Sequence, residues 1–308
     1  PYFGRHHVPS LTWCDNGDML ATAFTAPFDR STQMAILITR LRDGNARWDP
    51  PARFFVAPDR NITSAALYRA PDGEIHHYNG LGGFSDARST AFTMLKRTSR
   101  DHGATWSAPR IVHEYPARPA SPDNFDGEPR LWPHMDIVAL DDGTLIMPSD
   151  SGPGENRGSL GSVLFESDDD GETWAERTRF GWNAHEYAKE GGSAGWIAGI
   201  HAPFVVLGDG RWLAIGRGNN MNGNSPWSES GDKGRTWTYS RSPFPPLHSG
   251  QRPVMLRLKE GPILLVSFTG PPEKGEERVP IEITDAAGKT RALLGMFAAV
   301  SYDEGQTW

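Results

Sequence analysis

Five times along the chain an apolar run, a turn glycine and a second apolar run follow one another. They are Val8 to Met19 around Gly17, Ala65 to Tyr78 around Gly73, Ile137 to Met147 around Gly143, Phe204 to Ile215 around Gly210, and Val254 to Phe268 around Gly261. Strand-length runs flanking a glycine predict β-hairpins. Stretches with helical period are scarce, so the pattern predicts an all-β chain.

Each hairpin is followed by a third strand and then, with one exception, by an octapeptide of the form S-x-D-x-G-x-T-W. The copies run Ser99 to Trp106, Ser167 to Trp174, Ser230 to Trp237 and Ser301 to Trp308; a degenerate copy, Leu41 to Trp48, keeps only Asp43 and Trp48. The full copies start 68 (167 − 99), 63 (230 − 167) and 71 (301 − 230) residues apart, a spacing that calls for an array of like supersecondary units. Within the motif Ser and Asp are suited to bond backbone amides across a turn and Gly to take a left-handed backbone. Thr is suited to begin the outgoing strand, and Trp to bury a large ring between neighbours. These are roles in folding, not catalysis.

Strand, hairpin, strand, octapeptide turn, strand makes a four-stranded antiparallel blade, and radial stacking of such blades is how a β-propeller avoids exposed sheet edges. The expected fold is therefore a β-propeller with about five blades in this chain, read as one domain over 1–308 with blades near 1–57, 58–125, 126–190, 191–246 and 247–308. The last of these lacks an outer strand, which predicts at least one further blade outside this sequence. Glu114 to Arg130 and Phe180 to Gly199 are longer than turns need and are expected to carry function; Pro271 to Arg291 is expected to be a surface hairpin.

Composition narrows the picture. Among 308 residues, 34 Gly and 25 Pro suit many short strands joined by turns. A net charge of −7 and a pI near 5.8 leave no broad basic face for nucleic acid. Cys14 stands alone, which excludes a disulfide framework and a cysteine-based zinc site. No run reaches the length of a membrane span, and Pro262 to Phe268 reads as a buried strand. A start at Pro1 and a stop on the last residue of a repeat suggest a processed or partial chain.

The repeated octapeptide resembles the Asp-box of the sialidase superfamily, whose catalytic members are six-bladed propellers that remove terminal sialic acids. His7-Val8-Pro9-Ser10-Leu11 followed by Asn16-Gly17-Asp18-Met19-Leu20-Ala21 is similar to that family's opening motif, R-I-P-x-L and then G-T-L-L-A. The resemblance implies a glycan substrate and a secreted or periplasmic location. It also exposes two departures. The family's first substrate-binding arginine aligns with His7, and the glutamate that activates its tyrosine nucleophile aligns with His201. The nucleophile itself would follow Trp308.

Candidate site residues come from aligning the hairpins on their glycines. His7 and Thr63 lie ten residues before Gly17 and Gly73, while His134, His201 and Arg252 lie nine before Gly143, Gly210 and Gly261. Read as equivalent positions, they place His7, Asn61 or Thr63, His134, His201 and Arg252 at one end of the blade array. The returning strands add Asn79, Asp150, Arg217 and Thr269, with Asp29 and Arg30 on the loop after Phe24; Asp136 shares a side with His134. Arg217 and Arg252 suit a carboxylate clamp, because guanidinium forks match carboxylates bidentately. His7, His134 and His201 with Asp136 and Asp150 suit proton transfer. The expected chemistry is sialidase-like hydrolysis releasing a terminal acidic sugar. The alternatives are a propeller lyase acting on uronic acid, with His as base and Arg on the carboxylate, and a non-catalytic glycan-binding propeller. No cofactor is expected, nor a metal, since no close His spacing supports one; the two histidines of His76-His77 should face opposite sides of a strand. Asn61-Ile62-Thr63 forms a glycosylation sequon, but its placement at the pocket argues against that use.

Overall fold

A computed structural model of the chain describes residues 4–28, 31–62, 64–82, 93–114, 131, 133, 135–151, 161–177, 188–247, 251–270, 277–278, 280–285 and 287–308. Among them there is no helix, and therefore none long and apolar enough to cross a membrane.

The predicted hairpins form, and each opens a sheet. The first sheet orders β1 (Arg5–Trp13), β2 (Met19–Ala26), β3 (Ala35–Leu41) and β4 (Ala52–Phe55) side by side; the second orders β5 (Ala65–Arg69), β6 (Ile75–Leu81), β7 (Thr93–Ser99) and β8 (Arg110–His113) the same way. In the third, β9 (Val138–Ala139), β10 (Leu145–Ser151), β11 (Gly161–Ser167) and β12 (Ala175–Glu176) keep this order. Two short strands then follow, β13 (Ser193–Ala194) and β14 (Ile197–Ala198), within the long loop before the fourth hairpin. β14 pairs with β11, and β13 joins the outside of a fourth sheet built from β15 (Phe204–Val206), β16 (Trp212–Ile215), β17 (Pro226–Ser230) and β18 (Trp237–Arg241). The fifth has three strands, β19 (Val254–Arg257), β20 (Ile263–Phe268) and β23 (Met296–Ser301), and the insertion between them is the expected hairpin, β21 (Ile281–Thr284) with β22 (Thr290–Leu293).

The octapeptides repeat one geometry. In each copy the Ser hydroxyl accepts the Gly N–H at 2.8 Å. One Asp oxygen accepts the Thr N–H at 2.8 Å, and the other accepts the Thr hydroxyl at 2.5–2.6 Å. The Trp indole N–H donates to the Gly carbonyl at 3.0–3.2 Å. Such saturation of a carboxylate with donors favours its charged form: the hydroxyl and amide of Thr105, with the Ser99 hydroxyl, hold Asp101 at about 2, and Thr307 and Ser301 do the same for Asp303. The glycine takes the left-handed backbone as expected, but so does the residue before it: His102, Asp170, Lys233 and Glu304 all have φ near +60° (58°, 59°, 58° and 60°).

Packing divides the chain into two compact units, one of 1–124, 130–148 and 165–175, the other of 125–129, 149–164 and 176–308. In the first, Val8, Phe24, Met34, Ile36, Ile62 and Ala65 form one core cluster, and Cys14, Leu20, Leu67 and Ile75 another, beside Trp106. In the second, Val205, Leu213, Ile215, Trp227, Met255, Ile263, Leu265 and Phe297 pack together, with Trp308 against them. Trp237 is fully buried against Trp212; burying a ring of that size contributes roughly 3 kcal/mol, which is why the motif ends in Trp.

Candidate functional site

The second unit brings four of the candidate residues together. Asp150 is the last residue but one of β10, and Arg217 follows β16; each lies seven residues past its hairpin glycine (150 − 143 and 217 − 210). Arg217 is joined to Ile200 by a two-way backbone bridge, both bonds 2.8 Å. That bridge needs Gly199 and Gly216. A Cβ on Gly216 would meet the Ala198 carbonyl oxygen at 2.1 Å, and one on Gly199, which is left-handed at φ +84°, would meet the backbone of Gly216 and Arg217 at 2.6–2.8 Å.

His201 is the next residue, and its own backbone is left-handed, φ +53°. For a residue with a β-carbon this conformation costs of order 1–2 kcal/mol, so its surroundings must fix it. They do so twice. Asp150 Oδ1 accepts the His201 N–H at 2.6 Å, and the Ser162 hydroxyl on β11 accepts the Ala202 N–H at 3.3 Å while donating to the Gly199 carbonyl at 3.1 Å. Asp150 Oδ2 then lies 2.6 Å from His201 Nδ1. One carboxylate thus holds both the backbone and the ring of the histidine.

The electrostatics of the cluster favour an anion. His201 is 8% exposed, and burial pushes its pKa below the ordinary imidazole value; Asp150 opposes that shift, while Arg217 and Arg252 add to it. Burial also lowers Arg217, again against Asp150. The Arg217 guanidinium donates to the Gln251 carbonyl at 2.9 Å, which anchors it beside the residue preceding Arg252. Two arginines, one carboxylate and a neutral imidazole leave a net positive charge in a partly desolvated place, where Coulomb attraction is stronger than in water.

The other described candidates belong to the first unit or are engaged by the fold. In the first unit, His7 packs edge-to-face on Phe24 at 5.6 Å. The sheet register also corrects its alignment: β1 is irregular between His7 and Ser10, and His7 pairs with Phe24 as Ile200 pairs with Arg217. The residue equivalent to His201 is therefore Val8, nine before its glycine, and it too is left-handed at φ +53°; so is Ser64 at φ +69°, nine before Gly73. The strained backbone belongs to the fold, and the histidine is what this chain places on it. Asn61 is buried and its amide donates to the Ser31 carbonyl at 3.3 Å, so the sequon's acceptor is enclosed in the fold. Asn79 is buried and accepts from Arg97 at 2.9 Å, and the Thr269 hydroxyl accepts the Gly295 N–H at 2.7 Å, so both serve the fold. Asp136 is exposed ahead of β9. His134, Asp29, Arg30 and Thr63 lie outside the described residues, as do most of the 114–130 loop and 180–187 of the second long loop.

Sequence reasoning missed Ser162, Gly199 and Gly216, which build the site without a chemical signature of their own. The register equivalence of Asp150 and Arg217 was available by counting from the glycines.

A family profile described as "BNR repeat-like domain" matches residues 17–308. No curated protein matches the chain by sequence. Solved structures do. A protein of unknown function from Dyadobacter fermentans has 16% identity and a TM-score of 0.65, over 99% of this chain and 82% of that one. A Hadza microbial sialidase has 17% identity and a TM-score of 0.61, over 100% of this chain and 58% of that one. A Trypanosoma rangeli sialidase, solved with sialic acid, has 15% identity and a TM-score of 0.59, over 91% of this chain and 46% of that one. At these identities the likeness concerns the fold.

Proposed function

The chain belongs to the BNR repeat-like family and has the sialidase-like β-propeller fold, and from that premise we propose that it is a glycoside hydrolase releasing a terminal acidic sugar from glycans. The observation that carries the reading is the Asp150–His201 pair at 2.6 Å beside Arg217 and Arg252. The family profile runs through both compact units, which supports treating the chain as one domain.

Each residue has a role that its surroundings fit. Arg217 and Arg252 bind the sugar carboxylate; guanidinium groups remain protonated through the working range, and their planar forks fix the orientation of the carboxylate as well as its charge. His201 acts as general base. With Nδ1 committed to Asp150, Nε2 is the atom that takes the proton, and a lowered pKa keeps the ring neutral and ready near pH 7. Asp150 positions the ring, selects the tautomer and stabilises the imidazolium once it forms. In hydrolysis the proton comes from the attacking water, and the leaving oxygen needs a separate acid.

One observation favours a second reading. Asp150 is committed to His201 through both oxygens, so it is poorly placed to donate a proton to a leaving group. Elimination from a uronic acid needs a base at the proton α to the carboxylate and cations on that carboxylate, which the His201–Arg217–Arg252 cluster resembles. Product analysis separates the two. Incubation of the protein with sialosides and with uronate-containing glycans is expected to release free acidic sugar with no new ultraviolet absorbance. An unsaturated uronide would establish elimination instead, and binding without turnover would leave a lectin. Full activity in His201→Ala would remove the proposed site from either reaction.

A further inference from the structure

A second cluster of ligating side chains lies in the first unit, where the turn of the second sheet meets an octapeptide. Glu74 closes the β5–β6 hairpin, His76 stands two residues later on β6, and Asp170 is the left-handed fourth residue of its octapeptide. His76 is 0% exposed. Its Nε2 lies 3.2 Å from Glu74 Oε2 and 3.4 Å from Asp170 Oδ2, and all three ligand atoms are within 4.8 Å of one another. His77, on the opposite side of the strand, faces Arg97 and Phe54 instead.

Hydrogen bonding accounts for this cluster only weakly. An imidazole Nε2 carries at most one proton, and two carboxylate oxygens converge on this atom at 3.2 and 3.4 Å, so one N–H would have to be shared between two long contacts. A cation would satisfy all three groups at once. The separations fit that role: ligands about 2.0–2.1 Å from a tetrahedral zinc stand about 3.3–3.4 Å apart, and the two measured here are 3.2 and 3.4 Å. The surroundings also resemble those that steady a metal-binding histidine. Tyr78 Oη is 3.3 Å from Nδ1, on the far side of the ring, and Arg100 holds the other Glu74 oxygen at 3.1 Å. Lys96, the nearby cation, is turned to the Asp170 carbonyl at 2.6 Å and the Glu172 carboxylate at 2.7 Å, away from the oxygens that would ligate.

We propose that Glu74, His76 and Asp170 form a binding site for a divalent transition-metal ion of the zinc class, which ties the second sheet's hairpin to the third sheet's octapeptide. One nitrogen and two oxygen ligands suit zinc or cobalt, and water would complete a tetrahedron on the side of Asp170, whose side chain is 56% exposed. The role is structural and independent of the glycosidase reading.

The test uses the untagged full chain stripped with chelator and then titrated with zinc chloride or cobalt chloride, with calcium chloride in parallel. One equivalent of zinc per chain should bind by calorimetry. At a hundred times Kd the melting temperature should rise by roughly 4 °C. Cobalt should show the intense visible absorption of a tetrahedral site. Glu74→Gln with Asp170→Asn should remove all three responses while melting in chelator as the parent chain does. The exposed Asp170→Asn change alone, which leaves the buried residues intact, should weaken zinc binding at least tenfold. Absence of stoichiometric zinc and cobalt binding by the parent chain would overturn the proposal, as would binding that survives the double substitution or a preference for calcium.

Discussion

Replacing Asp150 with Asn tests the proposed base directly, because the change is nearly isosteric and its consequence follows from two contacts. Asp150 Oδ1 accepts the His201 N–H at 2.6 Å, and an Asn carbonyl oxygen can keep that bond. Oδ2, 2.6 Å from His201 Nδ1, would become an amide NH2, which is a donor facing a donor. The ring relieves the clash by taking the other tautomer, with its proton on Nε2, and the atom that should receive a proton is then already occupied. The expected loss is the contribution of a general base, about 10²–10⁴ in kcat/KM, or roughly 3–5 kcal/mol of transition-state stabilisation. The pH profile supplies an independent signature. His201 works as a base only when deprotonated, so activity falls on the acid side as the ring protonates. In the parent chain Asp150 opposes the downward shift caused by burial. Without its charge the His201 pKa falls further, so the variant should show a lower plateau and an acid limb displaced to lower pH. Steady-state kinetics on the substrate found by product screening, between pH 4 and 8, measure both. A variant with kcat/KM within twofold of the parent and the same acid limb would refute the pairing as a catalytic device.

Other outcomes follow from single residues. Arg217→Lys keeps a charge but loses the planar fork and its hold on the Gln251 carbonyl; KM for the acidic sugar should rise at least tenfold, with a smaller change for a neutral analogue in the same assay. Gly216→Ala drives a methyl group to 2.1 Å from the Ala198 carbonyl oxygen, against backbone that cannot yield cheaply; a loss of about 2 kcal/mol or more by urea denaturation and a loss of activity should appear together. Asp101 and Asp303 are held at about 2, below their unfolded value of 3.8, so the stability they contribute is complete above about pH 4 and disappears as pH falls through about 2. Melting temperatures of Asp101→Asn and Asp303→Asn should therefore decline less steeply than the parent's between pH 4 and 2, and a parallel decline would contradict that assignment.

Much of the fold was legible because its determinants are local. A turn glycine between two apolar runs fixes a hairpin without reference to distant residues, and the Ser, Asp, Gly and Thr of the octapeptide bond almost entirely among themselves. The short strands β13 and β14 were not legible, because Ile197 and Ala198 have no pattern of their own. β13 is a strand because β18 offers Trp237 and Thr238 as partners, and β14 because β11 offers Gly161 and Ser162; Trp196 fits over the absent side chain of Gly161, where a Cβ would meet its ring at 2.5 Å.

The site was legible only up to one residue of register, and the reason is physical. Counting back from a glycine assumes an unbroken ladder, whereas β1 and the segment ahead of β15 each insert an extra residue where the backbone turns left-handed. A bulge of that kind re-aims one side chain and leaves its neighbours on the sheet. At the first hairpin the re-aimed residue is Val8, whose apolar side chain goes into the core with Phe24 and Ile36. At the fourth it is His201, and there Asp150, near the end of β10, meets it. Sequence periodicity does not distinguish these cases, since Val8 and His201 occupy the same backbone conformation. What separates them is the partner at the seventh position past the glycine of the preceding or same hairpin: Phe24 beside His7 in one, Asp150 and Arg217 around His201 in the other. The chemistry therefore lies in the combination of a shared bulge with two charged strand ends, and replacing either charge should alter His201 without altering the fold that presents it.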